Sequence, residues 1–576
     1  MSPYKRPLNP NRKEIRRLVL HPLSAGASIQ CSIEIVSLFD EPRFEALSYV
    51  WGAASHKQTI ILEETSFSIT NNLAIALHYL RSDDEPRRLW VDAICINQDN
   101  TKERNEQVAM MGEIYAQAKP VLIWLGEASE NSDHDFHLVS RIAGGAKVPD
   151  EVLENTFAFY MELVEREWFT RLWTVQELVL SNEDPIVGCG AMWTKWSSLL
   201  GVWHIVAKYE FGKLGMVSEW GDNNDGSLST RRPNGIKIDL LNHLHEKIQK
   251  DGGEDLQKLI FSTKTSKATE PRDIIYALLG MMQKDDREQF SVDYDRPIER
   301  VFAEAIAHIF RKGNGPFLLS GMELAGAGPA TEYPSWIPRF GTKFLTGPTR
   351  FHPPGTGASG VGRDCVNGSI DEDLKTLRVR GLNIDIVVDK ISFDEQECLH
   401  KLPQVAELRS RAHQLEKIHS SHRSYCNGLK SKEPVWRTLI ANKAYSGAAR
   451  QVAPENYQEM YNMLLDEQIY GQACDRKITS DYELSLLNRL SSCCFFITAT
   501  GFCGIGSLTV EEGDHLVIWF GSPVPFALRP IPRSSNKEVQ AYAVVGVAYV
   551  AGVMDGEMVD EIYCEDYEDD VEFIIR

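Results

Sequence analysis

The segment Leu89–Gly126 restricts the possible folds of this chain more than any other. It reads LWVDAICINQDNTKERNEQVAMMGEIYAQAKPVLIWLG, in which two apolar runs of strand length, Leu89–Ile96 and Val121–Leu125, flank a helical pattern. Asn100 is placed to cap this helix, and Glu103 stands where a side chain closes a capping box. Strands that are apolar on both faces and alternate with helices are typical of an α/β fold with a largely parallel sheet.

One acid interrupts the first of these predicted strands. Asp92 lies among apolar neighbours, where a carboxylate needs either a partner or a function. The polar run Asn97-Gln98-Asp99 follows at the carboxyl end of the same strand, which is where open α/β sheets bind ligands. The structural alternatives are an Asp92 held by backbone N–H groups or an arginine, and a helix cap supplied by Asp99 or Asn100.

A second acid lies in the segment Trp168–Ser181, WFTRLWTVQELVLS, whose apolar residues surround most of a predicted helix. Glu177 follows Trp173 on a face that is otherwise apolar, so the sequence predicts a buried glutamate. A buried glutamate without a fixed partner is expected to have a raised pKa or a chemical function. The structural alternative is a salt bridge with Arg171 or Arg166.

The 576 residues are too many for one hydrophobic core. Changes in pattern along the chain predict N-terminal strands over 1–43, an α/β domain over 44–210, a helical region over 230–341, a Gly/Pro-rich linker over 342–373, a β-rich module over 374–396 and 493–560 with a helical insertion at 397–490, and an acidic tail over 561–576.

Composition narrows the classes of partner. The net charge of −20 argues against a nucleic-acid-binding surface, which needs clustered basic residues. No apolar stretch reaches the ~20 residues that span a bilayer, and no signal-peptide pattern is present, so we expect a cytoplasmic protein without a membrane span. The eleven cysteines are scattered without a CxxC pair, so neither a disulfide framework nor a metal site is predicted.

Four segments resemble, in order, the motifs of the HET (heterokaryon incompatibility) domain. They are FEALSYVWG (Phe44–Gly52), TNNLAIALHYLR (Thr70–Arg81), the segment Leu89–Gly126 and the segment Trp168–Ser181. EPRDIIYALLGM, YPSWIPRF and AYVAGVMDGE are similar to segments that often accompany this domain. The resemblance implies a filamentous-fungal protein of self/non-self recognition and regulated cell death after hyphal fusion.

HET domains are themselves similar to TIR (Toll-interleukin receptor) domains, which are flavodoxin-like α/β modules. FEALSY resembles the first-strand motif of TIR domains, and RLWTVQEL resembles their Trp-Cys-x-x-Glu-Leu helix, with Thr174 in place of the cysteine. This similarity places Glu177 at the glutamate with which enzymatic TIR domains cleave NAD, so that NAD would be a substrate and not a resident cofactor. It implies further ligand contacts from Ser48, Tyr49, Trp51, Gly52, Asp92, Asn97 and Trp173.

Two functions follow from these expectations. The first is an incompatibility or cell-death effector that hydrolyses NAD at the nicotinamide–ribose bond through Glu177. The alternative is a non-catalytic HET module that signals by assembly with itself or with another incompatibility protein. A cleft that contains Glu177, Asp92 and the loop Tyr49–Gly52 would favour the enzyme. An exposed apolar helix face, with Glu177 in an internal salt bridge, would favour the assembly module.

Overall fold

The computed structural model divides the chain into two compact units. Unit 1 comprises Met1–Gly226 and Arg232–Ile298, and unit 2 comprises Ser227–Arg231 and Glu299–Arg576. The residues that the structure describes are 3–213 except 27, 54, 130 and 131, then 236–324 except 323, 333–338, 357–359, 368–392, 410, 412, 413, 416, 417, 435–444, 452–466, 481–490, 493–559 except 534, 536 and 537, and 571–576.

Unit 1 contains a nine-stranded sheet of order β5-β4-β2-β1-β6-β3-β7-β8-β9. Its strands are β1 (Glu14–Leu20), β2 (Gln30–Ser37), β3 (Glu45–Tyr49), β4 (Lys57–Leu62), β5 (Thr65–Thr70), β6 (Arg87–Trp90), β7 (Val121–Trp124), β8 (Ile186–Cys189) and β9 (Met192–Lys195).

The central strands β6, β3, β7 and β8 are parallel, as the sequence predicts for this region. The sheet as a whole is mixed, however, and the prediction of a largely parallel sheet is corrected. Strands that follow one another closely, β1–β2, β4–β5 and β8–β9, pair antiparallel because a short connection permits no parallel return. β1 is also antiparallel to β6, so β6, β3, β7 and β8 form one parallel block, and β2 and β4 form a separate parallel pair.

Helices pack around this sheet, and β7, all of whose residues are buried, is typical of a strand covered on both faces. The helices of unit 1 are α1 (Asn71–Leu80), α2 (Asp92–Cys95), α3 (Thr101–Gln117), α4 (Ser132–Ala143), α5 (Asp150–Glu165), α6 (Trp173–Val179), α7 (Trp196–Lys213), α8 (Ile236–Asp251), α9 (Leu256–Ser262), α10 (Asp273–Leu279) and α11 (Lys284–Arg287).

The predicted strand Leu89–Ile96 is wrong beyond its first residues. β6 ends at Trp90, and Asp92 opens the helical turn α2 instead of lying in the middle of a strand. Its Oδ1 accepts the backbone N–H of Ala93 at 2.7 Å, and an acid in the first turn of a helix is favoured by the exposed N–H groups there. Asp92 therefore lies just beyond the carboxyl end of β6.

The start of α3 shows half of the predicted capping box. Asn100 accepts the backbone N–H of Glu103 at 3.1 Å, so the cap is confirmed. The carboxylate of Glu103 does not return to Asn100 but accepts the backbone N–H of Asn97 at 2.8 Å and pairs with the buried guanidinium of Arg16. Arg16 lies on β1, so this ion pair connects the edge of the parallel block to α3.

Of the helical region that the sequence predicts over 230–341, α8 to α11 belong to unit 1, and the helices after residue 298 belong to unit 2. α8 packs against α6, and α10 packs against both α3 and α6. Glycine at positions 112 and 280 lets α10 approach α3 and α6 closely. A Cβ on Gly280 would lie 3.2 Å from the Cα of Gly112 on α3 and 2.4 Å from Oε1 of Gln176 on α6. The predicted boundary at about 210–232 falls mostly outside the described residues.

The described residues of unit 2 contain eight strands, six of which close into a ring of order β11-β12-β13-β16-β15-β14, with β14 returning to β11. The strands are β10 (Gly368–Ile370), β11 (Leu377–Ser392), β12 (Cys493–Thr498), β13 (Cys503–Ser507), β14 (His515–Trp519), β15 (Phe526–Pro530), β16 (Ala541–Val550) and β17 (Val571–Ile575). The described helices are α12 (Ile298–Arg311), α13 (Gly315–Ser320), α14 (Val435–Leu439), α15 (Tyr457–Leu465) and α16 (Asp481–Leu490).

β11 closes the ring because it pairs with two strands in succession. Irregularities at Asn383/Asp385 and Val387/Asp389 bend it between its pairings with β14 and β12. β17, within the acidic tail that the sequence predicts over 561–576, also pairs with β11 and buries Phe573 and Ile575. The acidic run at 564–570, which prompted that prediction, lies outside the described residues.

Two further findings concern the predictions for the chain as a whole. β10 lies within the predicted linker 342–373 and pairs with β11, while most of that linker lies outside the described residues. Among the described residues, no helix is both long enough and apolar enough to cross a membrane.

Candidate active site

Glu177 is buried in unit 1 on the short helix α6. A 3₁₀ turn at Glu167–Thr170 precedes α6, and the hydroxyl of Thr174 donates to the carbonyls of Trp168 and Arg171 at 2.9 Å each. These bonds fix the first turn of α6 against the preceding segment. Every residue from Thr174 to Val179 is buried, and Glu177 retains only 5% of its surface. The sequence prediction of a buried glutamate is confirmed.

Three side chains surround the carboxyl group of Glu177. The hydroxyl of Ser48, at the end of β3, donates to Oε2 at 2.5 Å, and the indole N–H of Trp168 donates to Ser48 Oγ at 2.8 Å. The hydroxyl of Tyr115 donates to the carbonyl of Leu47 at 3.2 Å and lies beside the same carboxyl group. This chain of hydrogen bonds fixes the orientation of Glu177 within the core.

The predicted salt-bridge alternative for Glu177 is absent among the described residues. Glu177 forms no ion pair there with Arg171 or Arg166, and the guanidinium of Arg166 donates to the carbonyls of Leu125 and Glu127 at 3.0 Å each. Burial raises the pKa of Glu177 to about 8, although the bond from Ser48 lowers it, and the neighbouring Asp92 raises it further. Arg171 lowers the pKa from a greater distance than an ion pair.

Asp92 is the second carboxyl group of the site. The indole N–H of Trp51 donates to its Oδ2 at 2.7 Å, and both side chains are partly exposed. Burial raises the pKa of Asp92, against the bonds from Trp51 and Ala93. The hydroxyl of Tyr49 lies near this carboxyl group but makes no hydrogen bond of ordinary geometry with any described residue. Burial, Asp92 and Glu177 together raise the pKa of Tyr49 well above its ordinary range.

The topology of the sheet brings these residues together. β3 and β6 are parallel neighbours, so Ser48, Tyr49 and Asp92 lie at the same edge of the sheet, and α6 packs against β3. The loop after β3 turns at Gly52, whose φ of 77° favours glycine. The side-chain amide of Asn72 donates to the carbonyl of Val50 at 2.6 Å and holds this loop near the carboxyl groups.

Two residues that the sequence places in the site have other contacts. The backbone N–H of Asn97 donates to Glu103, so Asn97 belongs to the network around Arg16. The indole N–H of Trp173 donates to Oδ2 of Asp273 at 2.9 Å, while Tyr294 donates to Oδ1 at 2.7 Å. Trp173 is partly exposed, and this contact ties α6 to α10. Its predicted stacking on a ligand ring stays a prediction.

Replacing Trp173 with phenylalanine separates these two roles. The ring remains available for stacking, but the half-buried Asp273 loses a hydrogen-bond donor, so we expect the stability of unit 1 to fall by about 1–3 kcal/mol. Thermal and urea unfolding of the full chain measure this loss. Tyr294→Phe removes the other donor to the same carboxyl group and is the matched control. An unchanged unfolding midpoint for Trp173→Phe would contradict the structural role.

Sequence reasoning missed three neighbours of the carboxyl pair. Tyr115 lies in the apolar stripe of α3, which predicts a structural role only. Trp168 precedes the helix that carries Glu177, and the sequence suggests Arg171 only as a salt-bridge partner. Their proximity to Glu177 depends on how α3, α6 and β3 pack together. The assembled site offers a buried carboxyl group beside a partly exposed one, and each attracts a cationic group of a ligand when it is ionised.

Two parts of the chain match known protein families. Residues 44–177 match the family model described as "Heterokaryon incompatibility protein (HET)", and residues 406–568 match the model described as "Het-6 beta-barrel domain". The chain is thus similar to the HET family over residues 44–177 and to the Het-6 barrel family over residues 406–568, which confirms the HET resemblance predicted from the sequence, while its TIR-like part stays a prediction. Both site carboxyl groups lie within the HET match.

A relative aligns with nearly the whole chain. The Neurospora crassa protein "Heterokaryon incompatibility protein 6, OR allele" is 24% identical over 666 aligned positions, which cover 96% of this chain and 95% of the relative. No solved structure gives a significant match to the chain.

Proposed function

We propose that the chain is a heterokaryon incompatibility protein whose HET domain hydrolyses NAD at the nicotinamide–ribose bond. The family match and the name of the relative support the biological part. The observation that carries the chemical part is the environment of Glu177, which is buried, bonded to Ser48 and adjacent to Asp92, with no ion-pair partner among the described residues. Perturbed carboxyl groups of this kind cluster at functional sites.

The order of the parallel strands supports a TIR-like site. Numbered along the chain, β3, β6, β7 and β8 lie in the order 2-1-3-4, which is how the flavodoxin-like order 2-1-3-4-5 begins. Ligands of such sheets bind at the carboxyl ends of the strands, where the order reverses beside the first strand. Ser48 and Tyr49 end that first strand, β3, and Glu177 packs against it.

The proposed reaction uses Glu177 in its ionised form. When the bond between nicotinamide and ribose breaks, its electron pair leaves with neutral nicotinamide, and the ribose acquires oxocarbenium character. A carboxylate beside the ribose stabilises this positive charge, and Ser48 holds the carboxylate in place. Water then adds to the ribose carbon and loses a proton, which gives ADP-ribose. Asp92, the more exposed of the two carboxyl groups, attracts the positively charged nicotinamide ring of the substrate.

The pKa of Glu177 predicts how this activity depends on pH. Because the pKa is raised to about 8, the ionised fraction of free enzyme falls ~tenfold for each pH unit below that value. We expect kcat/KM for NAD to rise from pH 6 towards pH 8 and then to level, as a property of the coupled pair of Glu177 and Asp92. The measurement is nicotinamide release by the purified full chain across this range.

The same assay distinguishes the two candidate functions. It is run with dilute protein and with crowded protein, because the alternative function requires assembly of the chain with itself or with a partner. Nicotinamide release that rises with pH supports the proposal. If neither dilute nor crowded protein releases nicotinamide, while expression of the chain still kills cells, the non-catalytic assembly module replaces it.

A further inference from the structure

Three basic side chains of unit 1 make no ion pair with any acidic residue that the structure describes. The chain has 81 acidic and 61 basic residues, so a cation in it has many potential partners. The side chains of Arg171, Lys237 and Lys267 nevertheless form no hydrogen bond or ion pair with any residue that the structure describes. Arg171 and Lys237 are partly buried, and Lys267 is exposed. Cations that have no acidic partner within the described part of so acidic a protein require a physical explanation.

Backbone pairing fixes two of these cations next to each other. Arg171 and Lys267 face each other in a parallel β-bridge. The backbone N–H of Leu172 donates to the carbonyl of Lys267 at 2.9 Å, and that of Lys267 donates to the carbonyl of Thr170 at 2.6 Å. Side chains at paired positions of a bridge leave the backbone on the same side. The guanidinium and the ammonium group therefore share one face.

The third cation, Lys237, lies close enough to Lys267 to be repelled by it. Lys237 lies in the first turn of α8, where the helix dipole disfavours a positive charge. Burial and repulsion from Lys267 lower the pKa of Lys237 to about 8. The helix dipole, burial and repulsion from Lys267 each destabilise the charged form of Lys237 in the ligand-free protein. A bound anion would offset all three effects.

Arg171 connects this group of cations to the candidate active site. It lowers the pKa of both Glu177 and Asp92, which places its positive charge near both carboxyl groups without an ion pair to either. Arg171 is thus the member of the group nearest to the carboxyl pair, and Lys237 on α8 is the member at the other end. All of these residues belong to unit 1.

We propose that Arg171, Lys237 and Lys267 form a subsite for the diphosphate of a nucleotide ligand. Guanidinium and ammonium groups are the side chains that recognise phosphate oxygens, and two phosphate charges would neutralise most of this group. The placement of the ligand's ribose beside Glu177 rests on the proposed function. The subsite restricts the substrate class to dinucleotides joined by a diphosphate, in preference to nicotinamide riboside.

Binding of ADP-ribose to the full chain tests the subsite. We expect Lys237→Ala and Lys267→Ala each to weaken ADP-ribose binding about tenfold or more in calorimetric titrations, and added salt to weaken binding to the wild type. Lys250→Ala is the matched control, because Lys250 lies on α8 about 20 Å along the helix axis from Lys237. Inorganic pyrophosphate is expected to compete with ADP-ribose, and adenosine is not.

ADP-ribose lacks the bond that is cleaved, so this titration is independent of catalysis. Equal affinities for the wild type and both lysine variants, or failure of pyrophosphate to compete, would overturn the subsite. Lysine-dependent binding without any NAD hydrolysis would support the subsite while the proposed function fails. If NAD is hydrolysed, Lys237→Ala should raise KM for NAD about tenfold, change kcat little and leave the hydrolysis of nicotinamide riboside unaffected.

Discussion

Glu177→Gln is expected to lower nicotinamide release from NAD by about 10³-fold, because removal of a charge that stabilises a transition state costs this much in other enzymes. Glutamine has nearly the same shape as glutamate and keeps an oxygen that can accept the hydroxyl proton of Ser48. The substitution therefore removes the negative charge and little else. Nicotinamide release by wild type and variant at pH 8, under identical crowding, is the measurement.

The stability of the same variant shows whether its fold is intact. Burial raises the pKa of Glu177 from its ordinary value of 4.5 to about 8, so the folded protein binds a proton that the unfolded chain has released between these values. Wild-type stability therefore falls as pH rises through this window, by roughly 3 kcal/mol at pH 7. The variant lacks this loss, and we expect it to unfold at a higher temperature than the wild type at neutral pH.

Glu254→Gln provides the matched control for Glu177→Gln. Glu254 is also buried in unit 1, but it forms an ion pair with Lys247 at 3.0 Å. Its replacement should leave nicotinamide release unchanged and lower stability. If Glu177→Gln retains wild-type activity while the control behaves as expected, Glu177 is not the catalytic carboxylate.

Arg16→Met is expected to destabilise unit 1 by about 3–5 kcal/mol, the usual cost of leaving one member of a buried ion pair without its partner. Arg16 is 1% exposed. Its guanidinium donates to Oε2 of Glu103 at 3.0 Å and to the carbonyl of Cys95 at 3.1 Å, and the ring of Tyr4 covers it at 4.5 Å. Its loss would also loosen the turn that carries Asp92. Chemical unfolding followed by intrinsic fluorescence measures the change.

The double variant Arg16→Met/Glu103→Leu separates charge from packing. Because it removes both buried charges, we expect it to recover much of the stability that the single variant loses. Arg87→Met is the control at a partly exposed pair, Arg87 with Glu45, where the expected loss is about 1 kcal/mol or less. A loss from Arg16→Met no larger than that from Arg87→Met would show that the buried pair is not important for stability.

The local elements of unit 1 could be predicted from the sequence because their signals are local. The cap at Asn100 and the strand predicted at Val121–Leu125 follow from residue types within a few positions. The end of β6 could not be predicted in this way. An apolar run such as Leu89–Ile96 fits a buried strand and a buried helical turn equally well, and the hydrogen bonds of Asp92 decide between them.

The residues of the candidate site were predicted mainly from the family resemblance and less from the hydrophobic pattern of the sequence. Ser48 and Glu177 are 129 positions apart, and no periodicity connects them. The pairing of Arg171 with Lys267 and the closure of β11 against β12 and β14 likewise join segments that are distant in sequence. Such contacts depend on the assembled fold, so a single sequence carries no direct signal for them.

The tie between Trp173 and Asp273 has a consequence for how this protein can be divided. The family match ends at residue 177, inside α6, and begins at residue 44, after β1 and β2. A fragment cut at those limits would lose α10 from beside α3 and α6, and it would expose the edge of β6 that β1 covers. Such a fragment would present bare apolar surface and an open strand edge, both of which promote aggregation. The segment that defines the family is therefore shorter than the segment that folds.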